Sequence, residues 1–171
     1  MIAKTHVRRL VGLALAFAPG IAAAEEPSGC AAFKWPLEHE RAALLASQKA
    51  PVANGRALSY DVASVLKLAL FADAGLPQPP ERAPKYTPSY AGHFTLAKPA
   101  KPGIYKITVA APAWVDVLDN GEFLRPRGIS GVTGCEGARK SVKFDLPARA
   151  LDVQVSGVRD SEISLIVSPA E

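Results

Sequence analysis

The sequence predicts a mainly β protein, an antiparallel β-sandwich or jelly roll with one short N-terminal helix. Between residues 103 and 167, apolar side chains alternate with polar ones in successive short runs, as in strands that bury one face. Turns rich in glycine and proline separate these runs, an arrangement typical of two packed sheets. One stretch, about 36–48, instead has the spacing of an amphipathic helix.

The first 24 residues have the pattern of a secretory signal peptide. Basic residues precede an apolar run at 10–18, and alanines at 22–24 provide a cleavage point after Ala24. That run is roughly half of the ~20 residues that a membrane-spanning helix needs. We therefore expect cleavage near Ala24, a periplasmic or secreted location, no transmembrane segment in the mature chain, and a single β-sandwich domain at 25–171.

The charge balance argues against nucleic acid as a partner. The chain has 20 basic and 16 acidic residues, but three basic and no acidic ones lie in the first 24 positions. The remainder is close to neutral. It therefore lacks the electrostatic surface that binding to DNA or RNA requires.

The two cysteines predict a disulfide between Cys30 and Cys135, because a lone pair in an exported protein is most simply oxidised. The alternative is a lipid anchor on Cys30, since 28–30 (SGC) matches the end of a lipoprotein cleavage box. Pro27 stands where that box has leucine, which favours the disulfide.

The helix is predicted at about 36–48. Pro36 suits a first helical turn, and Glu38 and Glu40 lie near its positive N-terminal end. Residues 60–71 fit a strand better than a helix, because leucines alternate with other residues there.

Seven prolines between 77 and 102 exclude a helix and a central strand over most of that stretch. We expect an extended crossover with room for one short strand at 92–96. After it, the alternating residues predict strands around 105–109, 114–117, 142–146, 151–155 and 163–167. The 119–121 segment (DNG) predicts a hairpin turn.

The sequence provides no recognisable catalytic motif, and it predicts no cofactor and no metal site. His39 lies between two glutamates on the helix, where neighbouring side chains point about 100° apart and cannot share one ion. His93 fits a half-exposed strand position. A serine–histidine–aspartate triad depends on geometry and stays open, but no local signal supports one.

Two groups of residues are candidates for ligand binding. Trp114 and Asp116 would share one face of a strand, where the indole could stack on a sugar; packing in the core is the favoured interpretation of Trp114. Arg127, Arg139 and Lys140 could meet beside the glycine-rich loop around Cys135 as an anion-binding notch. The favoured alternative is a solvated sheet edge that these cations protect from pairing.

Several of these residues also occur together as a motif set. The set is Cys30, Phe33, Trp35-Pro36-Leu37, Glu40, Gly103, Tyr105, 113–117 (AWVDV), Cys135, Gly137 and 139–142 (RKSV). In this set the chain resembles a small exported proteobacterial family of unassigned function. Members of such families sometimes carry the label homogentisate 1,2-dioxygenase. That enzyme type needs two histidines and a carboxylate on one ferrous iron, in a much longer cytoplasmic chain, and the residues here do not support it.

Two classes of function follow. The first is a non-enzymatic accessory or binding module of the cell envelope, with a protein or a glycan as partner. The second is a small metal- or carboxylate-dependent enzyme on a jelly-roll scaffold, with His39, His93 or Asp116 in its site. The second requires these three residues to meet in one concave pocket.

Overall fold

The computed structural model describes residues 25–46 and 50–170. The predicted signal peptide and the last residues of the predicted helix lie outside this range. Strands account for 42% of the structure and helix for 10%, in two sheets and one helix, which confirms the predicted β-sandwich. The described part contains no helix long and apolar enough to cross a membrane.

The helix α1 spans Glu38–Ala46, and short 3-10 turns lie at Cys30–Ala32 and Phe71–Asp73. The strands, in chain order, are β1 (Ala57–Leu58), β2 (Ser64–Lys67), β3 (Ala69–Leu70), β4 (Tyr90–Leu96), β5 (Gly103–Val109), β6 (Trp114–Asp119), β7 (Glu122–Phe123), β8 (Gly128–Gly131), β9 (Lys140–Leu146), β10 (Leu151–Val158) and β11 (Glu162–Pro169).

Sheet A has the order β1-β4-β10-β6-β7, with β3 also paired to β4, and sheet B has the order β2-β11-β5-β9-β8. All named pairs are antiparallel except β1 with β4. The predicted hairpin turn joins β6 to β7, with positive φ at Asn120 and Gly121. Most strands therefore follow the sequence pattern closely.

The core lies between the two sheets and contains the apolar half of each alternating run. In sheet A, Phe94, Val153 and Val117 lie side by side in register, and all three are fully buried. In sheet B, Tyr105 and Phe144 are likewise paired and buried. These residues belong to one continuous cluster, so the sandwich has a single central core.

Polar residues on the outer face of sheet B are buried as well, because the N-terminal segment covers them. The Trp35 indole Nε1 donates to Ser141 Oγ at 3.1 Å. In the first turn of α1, Glu40 Oε1 lies 2.8 Å from Lys106 Nζ, and both side chains are almost fully buried. Ser168 also donates a hydrogen bond to Glu40. The N-terminal segment thus forms an outer layer on sheet B.

Residues 71–89 cover the outer face of sheet A in a similar way. Gln154 lies on the outer face, because its neighbours Val153 and Val155 face the core. Its side-chain oxygen accepts a 3.4 Å hydrogen bond from the backbone N–H of Gln78. Asn54 Nδ2 donates to the carbonyl oxygen of Ala74 at 2.7 Å. The outer face of this sheet is therefore also covered by extended chain.

Two expectations for the middle of the chain need correction. The 60–71 segment is not one strand: β2 belongs to sheet B and β3 to sheet A, so the chain changes sheets at Leu68. Within the proline-rich crossover, the strand β4 is longer than 92–96 and takes an inner position between β1 and β10. It can do so because it contains no proline.

The disulfide prediction is confirmed. The sulfur atoms of Cys30 and Cys135 lie 2.16 Å apart, and Ser28 forms a parallel bridge with Thr133 beside them. In this bond the Cys30 sulfur is not available to a lipid, so the alternative of a lipid anchor does not fit this structure. The bond ties the segment that covers sheet B to the loop between β8 and β9.

Candidate functional site

A cleft of about 490 Å³ opens where the first residues of β6 and β9 meet the proline-rich segment. Three of the five predicted binding residues line it, namely Trp114, Arg139 and Lys140. The opposite wall comes from 82–86, which includes Arg82, Lys85 and Tyr86. The volume is in the range of about 300–1,000 Å³ that is usual for small-ligand sites.

Trp114 is half-buried at the start of β6, on the side opposite its core-facing neighbour Val115. It is not part of the core, contrary to the favoured interpretation. The Lys140 ammonium lies 4.8 Å and the Arg82 guanidinium 5.4 Å from its ring centre. At these distances the indole attracts both cations and helps to hold them at the cleft.

Asp116 lies behind Trp114 and fixes its orientation. As predicted, the two side chains share a face: Trp114 Nε1 donates to Asp116 Oδ1 at 2.6 Å, and Gln154 Nε2 donates to Asp116 Oδ2 at 3.1 Å. Burial raises the pKa of Asp116, although these two hydrogen bonds act in the opposite direction. Asp116 therefore serves as a buried acceptor that holds the indole.

We expect Asp116→Asn to lower the free energy of unfolding by about 1–3 kcal/mol. The amide nitrogen of the introduced asparagine would face one of the two hydrogen-bond donors, Trp114 Nε1 or Gln154 Nε2. Since the folded-state pKa is raised, the stabilising effect of Asp116 is largest below its ordinary value of 3.8 and declines as the pH rises through the raised pKa. The stability lost on substitution should therefore be larger below pH 3.8 than at neutral pH. Urea unfolding of both proteins at the two pH values measures this, and an equal loss would contradict it.

Arg139 and Lys140 are held by backbone carbonyls near the cleft. Arg139 donates to the carbonyl oxygen of Val132 at 2.7 Å and to Glu26 at 2.6 Å. Lys140 Nζ donates to the carbonyl oxygen of Ala113 at 2.9 Å. Burial lowers the pKa of Lys140, and so does repulsion from Arg82 and Arg139, while Asp116 acts in the opposite direction.

Arg127 does not join this group, so the predicted notch holds two of its three members. Its guanidinium lies 3.0 Å from Asp145 Oδ2 on the exposed surface of sheet B. Its backbone N–H donates to the carbonyl oxygen of Lys143, whose ammonium lies over the Trp35 ring at 4.5 Å. The β8–β9 pairing thus places Arg127 away from the cleft.

Sequence reasoning missed the wall at 82–86 and one strand residue, Ser156. The wall has no periodic pattern, because Pro84 and the prolines that flank the wall hold it outside both helix and sheet. Ser156 pairs directly with Trp114 across β10 and β6, so its presence beside the indole could have been found only from the strand register. Neither feature has a local signal in the sequence.

The three residues of the enzyme alternative do not meet. His39 lies on α1 over sheet B, with Nε2 3.8 Å from Asp61 Oδ1. His93 and Asp116 lie on the outer face of sheet A, but Gln154 separates them in register, which places them roughly 10 Å apart. Within residues 25–46 and 50–170, no group of three or more His, Cys, Asp or Glu side chains could hold a metal ion. This geometry gives the enzyme alternative no common site.

Comparison of the chain with protein-family models, curated proteins and solved structures finds no match.

Proposed function

We propose that this protein is an exported, non-enzymatic binding module of the cell envelope, and that the cleft at Trp114 is its binding site. One observation carries the proposal: an open cleft in which an indole, anchored by Asp116, is surrounded by cationic side chains. The partner would be a glycan or a protein of the envelope. The resemblance to a small exported family and the signal-peptide pattern support the location.

A rigid scaffold supports this role. Trp114 and Lys140 lie on strands of the two sheets, which pack over one core. Both side chains are therefore attached to a rigid backbone. The wall at 82–86 is held by its own contacts to the sheet, among them the Arg82–Trp114 interaction. Such an arrangement binds a ligand without a need for an acid–base pair.

Native and denaturing mass spectrometry of protein recovered from the periplasm, without reductant, tests this proposal. We expect a denatured mass that corresponds to residues 25–171 less two hydrogens. The native mass should exceed the denatured mass by the mass of a bound ligand. Trp114→Ala should lose that extra mass, because the cleft loses its aromatic wall, whereas Arg127→Ala should keep it as a matched control away from the cleft.

Two results would contradict the proposal in different ways. An uncleaved chain found in the cytoplasm would overturn export. A native mass equal to the bare polypeptide in the wild type would remove the support for a resident ligand, and loss of the ligand in Arg127→Ala alone would move the site elsewhere.

A further inference from the structure

The walls of the cleft carry an excess of positive charge. Its charged lining residues are four basic ones and a single acidic one. The acidic one, Glu26, already accepts a 2.6 Å hydrogen bond from Arg139. The basic residues come from two separate parts of the chain, since Arg82 and Lys85 belong to the proline-rich wall and Arg139 and Lys140 to the start of β9.

The carboxylates behind the cleft do not balance this charge. Asp116 already accepts hydrogen bonds from Trp114 and Gln154, and it is not among the residues that line the cleft. Burial raises the pKa of that carboxyl and charge repulsion from Glu81 raises it further, while a hydrogen bond from the Glu81 backbone acts in the opposite direction. With four basic residues and one acidic residue in its lining, the cleft is cationic.

Lys140 has hydrogen-bond donors that no acceptor of the described residues uses. An ammonium has three N–H donors, and within the described residues its one hydrogen-bond acceptor is the carbonyl oxygen of Ala113. Burial lowers the pKa of Lys140 most, repulsion from Arg82 and Arg139 lowers it further, and Asp116 acts in the opposite direction. An anion placed among the three would relieve that repulsion and accept the remaining donors.

The side chain of Ser156 is a second, independent observation that points to a ligand in this cleft. The side chain of Ser156 lies in the cleft wall and is 1% exposed. Its Oγ has no hydrogen-bond partner among the described residues. Buried hydroxyls are nearly always paired, so this unpaired hydroxyl in the wall of a cationic cleft can pair with an oxygen of a ligand.

We propose that the ligand of this cleft is an oxyanion, a phosphate or carboxylate group, held by Arg82 and Lys140 with Ser156 behind them. The group belongs to a small anion or to an acidic unit of a glycan, since a cleft of about 490 Å³ has the size of a small-ligand site. This inference rests on the proposed binding function, because it names the ligand class of the same cleft.

Fluorine NMR of protein labelled with 5-fluorotryptophan tests the inference directly. The chain contains two tryptophans, so two resonances are expected, and Trp114→Phe assigns them. Trp35 lies on the outer face of sheet B and reports any effect unrelated to the cleft. Titration with sodium phosphate or sodium glucuronate at constant ionic strength should shift the Trp114 resonance and leave Trp35 unmoved. Glucose should shift neither.

Three substitutions in the cleft and one outside it distinguish an effect on binding from an effect on folding. Arg82→Gln changes an exposed side chain and should weaken anion binding about tenfold, as should Lys140→Met. Ser156→Ala should weaken binding several-fold while the thermal midpoint stays the same or rises, because an unpaired buried hydroxyl is removed. Arg127→Gln, an exposed arginine outside the cleft, should bind as the wild type does.

The titrations with phosphate and with glucuronate also distinguish a phosphate ligand from an acidic sugar. A response to inorganic phosphate alone supports a phosphate ligand, and a response to glucuronate alone supports an acidic sugar. An equal response to glucose would overturn the oxyanion inference while binding at Trp114 stands. No response to either anion, or equal shifts of both tryptophans, would overturn it whatever mass the recovered protein has.

Discussion

Glu40→Gln is expected to lower the free energy of unfolding by about 3 kcal/mol or more. The substitution keeps the shape of the side chain but leaves the Lys106 ammonium buried beneath α1 without a counter-charge. Breaking a buried ion pair from one side typically costs about 3–5 kcal/mol. Urea unfolding at neutral pH measures the loss.

Two controls separate the buried charge from the other contacts. The double variant Glu40→Leu with Lys106→Met removes both charges and should recover much of the loss, since apolar replacements of a buried pair are often neutral or stabilising. The exposed pair Arg127–Asp145, at 3.0 Å, should cost at most about 1 kcal/mol when Arg127 is changed to alanine. Equal losses at the two pairs would show that Lys106 is not buried as the structure describes.

The same pair predicts a pH dependence. Burial alone would raise the pKa of Glu40, but hydrogen bonds from Lys106 and Ser168 outweigh it, so the pKa is lowered. A lowered folded-state pKa means that the stabilisation is complete above the ordinary value of 4.5 and is lost as the pH falls through the lowered one. The wild type should therefore lose more stability on acidification than the double variant, and parallel curves would contradict this.

Cys135→Ser is expected to lower the thermal midpoint by roughly 5–15 °C. The disulfide closes a loop with a sequence separation of 105 residues. The chain-entropy account gives about 4–5 kcal/mol for such a loop, with about 2–4 kcal/mol usual in practice, and about 1 kcal/mol corresponds to 2–4 °C at this chain length. Thermal unfolding followed by circular dichroism measures the shift.

A reductant provides the matched control for that experiment. The wild type in dithiothreitol should unfold at the midpoint of Cys135→Ser, and the variant itself should not respond to the reductant. An unchanged midpoint in both would count against a stabilising role of the bond. A double variant, Cys30→Ser with Cys135→Ser, removes any effect of the remaining thiol.

Much of the fold could be predicted because alternation reports directly which residues share a face. Ile107, Val142 and Val153 were expected to point inward with their neighbours, and all are buried in the core. The hairpin at Asn120 and Gly121 could be predicted because few residues accept positive φ. In both cases the physical cause lies within a few residues of the chain.

What covers the other face of each strand could not be predicted in the same way. Thr108 and Ser141 alternate with core residues and look solvent-facing in the sequence, yet both are fully buried beneath the N-terminal segment. Alternation identifies two faces but does not tell whether water or another segment lies on the second. The contacts of Trp35 and Glu40 that close this layer join residues more than 60 positions apart.

The candidate site shows the same limit. Trp114 and Asp116 could be paired from their spacing, and Arg139 and Lys140 could be placed near Cys135. Arg82 could not, because nothing in a proline-rich stretch indicates where it lies on the sheet. The register between β6 and β10 could not be predicted from the sequence either. That register alone brings Ser156 beside the indole of Trp114.

The proline-rich segment at 77–89 lines the cleft but takes no part in the hydrogen bonding of the two sheets. Five prolines within 77–89 lack the backbone N–H groups that a sheet would use, so this stretch contributes side chains to the cleft without adding a strand to the sandwich. Substitutions at 82–86 can therefore change the lining of the cleft while the hydrogen-bond ladders of the two sheets stay intact. In this respect the segment resembles a variable loop on a rigid framework.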